Sequence, residues 1–437
     1  MAQRTWRNWA GTATATPARW AAPRDPAEIG AAIQAAERDG LTVRAIGAGH
    51  SFTAVAATDG VALDLSGWQG IVRADATTGE VTVRAGTTLA QLNAALDPLG
   101  LALANLGDID AQTVAGALAT GTHGTGAKLG GLTTQIRAME LVLADGSEVS
   151  CSSGERPELF QATRLGLGAL GVVSTVTLAC VPAFVLAADE RPERIEDLIE
   201  RFDELADTND HFEFHWFPHG RNALVKRNNR LPEGAAPKPM PRARQFLEYE
   251  VLENVAVGTI ARINRAAPRT VPGSQRLIDK LMSVRSYSDV SHRVFVTPRN
   301  VRFVESEYAL PRAELPAVLR ELRTRIPKLA DQPAFPLEIR VAAADDIWLS
   351  TASGRDTAYI AIHQFQGMPY RQYFDLFESI VAEVDGRPHW GKMHSLDADT
   401  LAKRYPRFED FRRVRAETDP AGRFGNAYLS RVLGPIG

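Results

Sequence analysis

Arg44-Ala-Ile-Gly-Ala-Gly-His-Ser51 follows an apolar stretch and governs how the rest of the chain is read. Its glycines, Gly47 and Gly49, carry no Cβ, so the backbone amides there can lie close against a diphosphate. A nicotinamide-type fingerprint would need a third glycine where Phe52 stands, and a helix directly after it. Instead the sequence runs on into another strand-like stretch, Val61-Ala-Leu-Asp-Leu65. About seventy residues downstream comes a second loop of small residues, Ala119-Thr-Gly-Thr-His-Gly-Thr-Gly126. The two loops together predict a long dinucleotide held from both sides, with no single helix N-terminus dominating.

The flanking pattern is helix and short strands. Asp25 followed by Pro26 and apolar residues at helical spacing predicts a helix to Arg38, ended by Asp39-Gly40. Leu41–Ile46, Ile71–Ala74 and Glu80–Ala85 read as strands, and Thr88–Leu96 as a helix stopping before Pro98 and Gly100. Ile136–Leu143, Ser147–Cys151 and Val172–Leu178 are further strands, with Ala144-Asp-Gly146 as a hairpin turn. Beyond Pro182, strands such as Phe212–Phe217 and Tyr359–Phe365 alternate with helices over Arg194–Leu205 and Leu315–Arg325. Four prolines in Arg230–Pro241 mark a surface loop. The fold class is α+β, with a boundary at Pro182.

With 437 residues the chain exceeds the ~250–300 at which single cores stop growing, so two domains are expected. A formal net charge of −3 gives nucleic acid no reason to bind. Cys151 and Cys180 are too few for a disulfide framework and lack metal-ligand spacing, which predicts two buried thiols in a reducing compartment. Met1–Trp9 has no apolar signal region, and no run reaches the ~18 apolar residues of a membrane span. The middle stretch Gln245–Asn254 is too acidic for membrane contact. The expectation is a cytoplasmic protein with no membrane or nucleic-acid partner.

Eight pieces in fixed order carry a resemblance. They are Arg7-Asn-Trp-Ala10, Gly49-His-Ser51, Asn105-Leu-Gly107, Gly121–Gly126, Trp216-Phe-Pro-His219, Glu338-Ile-Arg340, Arg387-Pro-His-Trp-Gly-Lys-Met-His394 and Asp419–Leu429. In this set the chain resembles the aldonolactone oxidases of the vanillyl-alcohol-oxidase class of flavoproteins, over nearly its whole length. The resemblance implies a FAD-binding domain over residues 1–182, a substrate domain over 183–386, and a C-terminal segment, 387–437, that returns to cover the flavin.

It also implies roles. The His50 imidazole would attack the flavin 8-methyl group and hold FAD covalently; the plain alternative is a loop histidine bonding backbone. Ile46, Gly47, Ala48, Gly49 and Ser51 would line the diphosphate, opposed by Thr113, Gly116, Thr120, Gly121, Thr122 and His123, with Asp108, Val173 and His389 as further flavin contacts. Glu338 and Arg340 alternate on a strand and so share a face. Such a pair is usually solvated and worth little, but in the family motif it points at the flavin. There Arg340 would hold a substrate hydroxyl or developing alkoxide, and Glu338 would orient a neighbouring hydroxyl or take its proton. Lys392 would supply positive charge beside the reduced flavin and touch substrate, and His394 would donate to a lactone carbonyl. His211, His215 and His219 lack zinc-ligand spacing, and no metal is expected.

The implied reaction is oxidation of a secondary alcohol of an aldono-1,4-lactone, with oxygen as acceptor and hydrogen peroxide released. Gly107 stands where plant lactone dehydrogenases of the family carry an alanine, so it is read as an open oxygen gate. The alternative is a glycine needed for a positive φ. The rivals are an alditol oxidase, a lactone dehydrogenase using another acceptor, and a flavin-binding scaffold without turnover. Oligomeric state is not legible.

Overall fold

The computed structural model describes residues 4–297 and 300–436. The Gly47–Ser51 loop leaves a small parallel sheet ordered Arg19–Ala21, Val61–Asp64, Val43–Ile46. Helix Pro26–Arg38 covers it with Ile29, Ile33 and Ala36. As the sequence predicts, Asp25 caps that helix, its side chain accepting from the Glu28 amide at 2.7 Å. A five-stranded antiparallel sheet follows, ordered Glu148–Ser152, Ile136–Val142, Val172–Ala179, Glu80–Arg84, Ile71–Asp75. Helix Leu89–Leu96 packs on it through Leu89, Leu92 and Leu96, and Thr88 and Gln91 form a capping box at its start.

The second sheet has eight antiparallel strands. Its order is Arg285–Val290, Val185–Arg194, Asn222–Arg230, His211–Trp216, Leu337–Ala342, Thr357–Phe365, Phe303–Pro311, Arg387–Pro388. Side chains alternate across a strand, and here the alternation separates two environments. Phe212, Phe214, Trp216, Leu337, Ile339, Val341, Ile360 and Ile362 form one core with helices Ile195–Glu200, Phe202–Thr208, Leu315–Arg325 and Arg371–Ala382. The intervening residues turn to the opposite face, and there charge collects.

Two segments depart from the sequence reading. The helix expected over residues 194–205 breaks at Arg201, whose φ of −107° and ψ of 15° leave the helical region. Residues 242–281, of which only the acidic stretch was singled out, form a helical arm. It comprises a short helix Arg242–Gln245, a π-helical run Phe246–Ala256, and helices Val257–Ala266 and Val271–Leu281. Among the described residues no helix is long and apolar enough to cross a membrane.

Residues 387–436 pack back on the N-terminal part of the chain. Trp390, Leu401, Tyr405, Phe408, Phe411, Tyr428 and Leu429 share a core with Val55 and Leu165–Leu170. Asn426 donates to the carbonyls of Ala54, Val55 and Ala57 at 2.9–3.1 Å. Arg44, from the opening stretch, is buried and donates to the carbonyls of Gly168, Phe424, Val55 and Leu167 at 2.6–2.7 Å. Asp419 shapes the turn that presents Phe424, accepting from the amides of Arg423 and Phe424 at 2.6 and 2.8 Å.

Candidate active site

A long chamber runs beneath the Gly47–Ser51 loop. Ile46, Gly47, Ala48, Gly49, His50 and Ser51 line one side and Thr113, Gly116 and Thr120 another, with Gly166, Gly168, Gly171 and Val173 completing it. Gly49 has a φ of +71°. A Cβ on Gly47 would stand 2.5 Å from the Thr113 hydroxyl oxygen, so only glycine lets the two loops approach this closely. The chamber continues into a second cavity, of about 300 Å³, at His50, Ser51, Gln112 and Thr120, which line both. An elongated dinucleotide lying along bare backbone, with its ring system at this junction, fits the residues present. Gly121 does not line the chamber. Its φ is +78° and a Cβ there would meet the Leu165 Cδ1 at 2.7 Å, so it shapes the turn instead.

His50 stands at the junction. Its ring stacks on Trp9, with centroids 5.8 Å apart and planes at 25°. Burial, and then the charge of Lys392, hold its pKa below the ordinary histidine value, which favours the neutral, nucleophilic ring. The loop is fixed from two sides. Asn8 donates to the Ser51 carbonyl at 2.9 Å, and the Phe52 amide donates to the Gly391 carbonyl at 2.6 Å.

The second cavity is faced by the charged side of the eight-stranded sheet. Glu338 and Arg340 are both buried and ion-paired to each other. Arg340 also bonds Glu213 through Nε at 2.8 Å and faces Asp108 at 3.4 Å. Burial acts against its charge, but Glu338, Glu213 and Asp108 outweigh that and drive its pKa well above the usual value. Burial would raise the Glu213 pKa; Arg340, Lys226 and His215 bring it down to about 2. Lys392 Nζ lies 2.5 Å from Glu305 and 3.9 Å from Glu307. Those carboxylates overcome the cost of burial and raise its pKa, so it is a firm cation. His363 sits 3.5 Å from Glu305 and 4.0 Å from Glu338. The two acids offset burial and raise its pKa. His123 bridges the Gly124 carbonyl at 2.9 Å and Glu307 at 3.0 Å and stacks on Tyr359. In contrast, burial first and Lys392 second lower the His389 pKa to about 4. Its Nδ1 accepts from the Gly391 amide at 3.0 Å, so Nε2 carries the proton.

Residues 176–432 match the family described as D-arabinono-1,4-lactone oxidase, and residues 17–152 match a FAD binding domain. The chain belongs to the D-arabinono-1,4-lactone oxidase family. It is similar to an L-gulono-1,4-lactone dehydrogenase of Mycobacterium tuberculosis, 42% identical over 98% of this chain and 99% of that protein. It is also similar to the L-gulonolactone oxidase of Bos taurus, 32% identical over 98% of each. The solved structure of cholesterol oxidase from B. sterolicum superposes with a TM-score of 0.84 over 99% of this chain and 97% of that one. At 16% identity this shows the shared fold, a FAD-binding domain plus a second domain. The chain is therefore a FAD-dependent oxidoreductase of the aldonolactone oxidase and dehydrogenase family.

Measured against the family motifs, the structure brings His50, Gly107, Thr122, His123, Glu338, Arg340, His389 and Lys392 to one cavity. Three residues are placed in ways their sequence does not announce. His394 does not line it: the ring is buried, its Nε2 lies 3.3 Å from the Tyr428 hydroxyl, and burial lowers its pKa to about 3. In this placement the His394 ring faces Tyr428 and not the cavity. Asp108, read as a flavin contact, faces Arg340 in the second cavity. Gly107 has no positive φ; a Cβ there would sit 3.2 Å from the His123 carbonyl oxygen, so its constraint is close approach.

His211, His215 and His219 do not converge. His211 bonds the Thr125 carbonyl at 2.8 Å, His219 bonds Gln332 at 2.7 Å, and His215 faces Glu338 at 3.8 Å. Sequence reasoning missed Glu305, Glu307, His363, Lys226 and the part Glu213 plays. The signal was present in Glu305-Ser-Glu307 and Glu213-Phe-His215, which alternate as Glu338-Ile-Arg340 does.

Proposed function

We propose that this chain oxidises a secondary alcohol of an aldono-1,4-lactone of the L-gulono-1,4-lactone type, with FAD bound covalently through His50. The supporting observation is the buried set Glu338, Arg340, Lys392 and Glu305 in a cavity continuous with the glycine-lined chamber at His50. Bound FAD supplies the two-electron acceptor for hydride removal. Arg340, locked by three carboxylates, holds the substrate oxygen as negative charge develops on it. Glu338 accepts the hydroxyl proton as the carbon–hydrogen bond breaks. Lys392, a cation paired with Glu305, would stabilise the negative charge of a bound reduced flavin. Lys392 and His363 are among the donors that face the cavity and would serve a lactone carbonyl.

Oxygen is the proposed acceptor, with hydrogen peroxide released and an ascorbate-type product formed when the keto-lactone enolises. The name of the Mycobacterium tuberculosis relative favours a second reading, in which a different acceptor takes the electrons. Anaerobic addition of L-gulono-1,4-lactone should bleach the flavin spectrum, while xylitol should do so about 10–100-fold less efficiently, the worth of one or two polar contacts. Admitting air should then restore colour with one peroxide per flavin. Faster bleaching by xylitol would make the chain an alditol oxidase, and no return of colour would make it a dehydrogenase. Acid precipitation should leave the yellow colour in the pellet; colour wholly in the supernatant would remove the His50 bond.

A further inference from the structure

The second cavity has a charged part, around Glu338, Arg340 and Lys392, and an apolar part. Leu224, Phe303 and Phe335 form the apolar part of its wall, with Val257 and Ile278 of the helical arm and Met282 just past it. The hydroxyl, ether and carbonyl oxygens of a sugar lactone are matched by the charged part of the cavity, whereas an extended aromatic and aliphatic wall suits a larger, more apolar ligand. The aromatic part is continuous. Phe303 lies 5.3 Å from Trp9, 5.8 Å from Phe52 and 5.8 Å from Phe335 by ring centroids. Since Trp9 stacks on His50, the wall begins at the proposed point of flavin attachment.

The arm is apolar on both faces. Ile278 and Met282 face the cavity, whereas Leu277 and Leu281, each one residue earlier, are exposed. Of the ten large apolar side chains exposed among the described residues, eight lie between Phe246 and Val284. Apolar side chains thus occur both on the outer surface of the arm and on the cavity wall that reaches His50.

Each turnover leaves two electrons on the flavin, and an acceptor must reach it once the lactone product has gone. We propose that the apolar half of the cavity is a separate subsite for a prenylated quinone, an acceptor additional to oxygen. Its planar ring lies along Trp9, Phe52 and Phe303, and its tail lies between Val257 and Ile278. Two electrons and two protons pass to the quinone, one proton from the reduced flavin and one from solvent. Both quinone carbonyls become hydroxyls and the flavin returns to its oxidised form. The proposal rests on the lactone reading only for the source of electrons.

The test uses FAD-loaded enzyme reduced anaerobically by light, so no lactone is needed. Photolabelling with an azidoquinone bearing one prenyl unit should tag peptides from residues 254–303 or the Trp9–Phe52 region, and excess unlabelled quinone should suppress it. Met282→Asp should cut both the labelling and the reoxidation by the one-prenyl quinone by about tenfold or more, the scale of a lost apolar contact. Reoxidation by ferricyanide should stay within about twofold. Ile278→Trp, which fills the subsite without adding charge, should act the same way if the aspartate variant fails to fold. Labelling confined to other surfaces, or quinone reoxidation unchanged in both variants, overturns the proposal. Failure of lactone to reduce the flavin sinks the substrate assignment and leaves the quinone subsite standing.

Discussion

The chamber beneath Gly47–Ser51 is lined largely by glycine, alanine and threonine together with aliphatic side chains. The adjoining cavity is faced by side chains that reach a long way and carry charge. A Cβ at Gly47 would meet the Thr113 hydroxyl, and Gly49 adopts a positive φ, so both positions favour glycine. The cavity balances Asp108, Glu213, Glu305, Glu307 and Glu338 against Lys226, Arg340 and Lys392. Its members are individually replaceable in shape but coupled in charge.

Removing one cation tests that coupling most severely. Arg340→Met leaves Glu338, Glu213 and Asp108 without their shared partner. It should lower kcat/KM by at least ~10²–10³-fold and destabilise the fold by about 3–5 kcal/mol. Arg340→Lys restores charge without the bidentate fork, and steady-state kinetics should place it between the two. A methionine variant with near-normal kinetics would show the charges to be independent.

Arg44 is the chamber's counterpart, a cation spent wholly on backbone. Burial lowers its pKa to about 10, with Arg415 adding to the effect. Replacing it by methionine leaves the carbonyls of Gly168, Leu167 and Phe424 without this donor while Val55 keeps Asn426, and a loss of about 2–4 kcal/mol in denaturant titration is expected. A smaller loss would mean that these carbonyls find other donors.

A pH experiment links the two regions. Because burial, aided by Lys392, depresses the His50 pKa, the neutral ring persists as pH falls through the range where free histidine protonates near 6.5. Flavin attachment to apoprotein should hold its rate to below pH 6.5 and fall only in more acid solution. Lys392→Met removes one repelling charge, so that fall should begin at higher pH. Acid-stable flavin followed against time would show it, and an unmoved or downward-shifted midpoint would disconnect His50 from Lys392.

The smallest effect belongs to Gly107→Ala. The added methyl meets the His123 carbonyl at 3.2 Å and the Thr122 Cγ2 at 3.4 Å, so a few tenths of an ångström of adjustment are needed. If the glycine is an oxygen gate, reoxidation by air should slow several-fold while anaerobic reduction by substrate changes less. Stopped-flow traces of both half-reactions decide it, since equal slowing would point to displacement of His123 alone.

The same contrast explains what could be read from sequence. The chamber was legible because its glycines and threonines lie within short loops, and because Asp25, Thr88 and the Ala144-Asp-Gly146 turn announce their elements locally. The cavity was legible only in part. Glu338 and Arg340 were recognised as a pair on one strand, but Glu305, Glu307 and Glu213 come from strands whose neighbours are set by pairing across the sheet. Nothing in Phe303–Pro311 alone says that it lies beside Thr357–Phe365. The position of His394 was illegible for a related reason: a backbone turn at Gly391 and Lys392 separates it from the cavity, and sequence proximity hides that turn.

The Arg44 guanidinium reaches a carbonyl 380 residues further along the chain. Asn426 closes on Ala54–Ala57 over nearly as long a span. During synthesis the His50 loop therefore emerges early and waits, its far wall still unmade, until almost the whole polypeptide has left the ribosome. Contacts of such long range also form late and slowly in refolding. Any covalent capture of flavin would then mark the end of assembly, and a nascent chain stalled or clipped before Asp419 would emerge with its histidine bare.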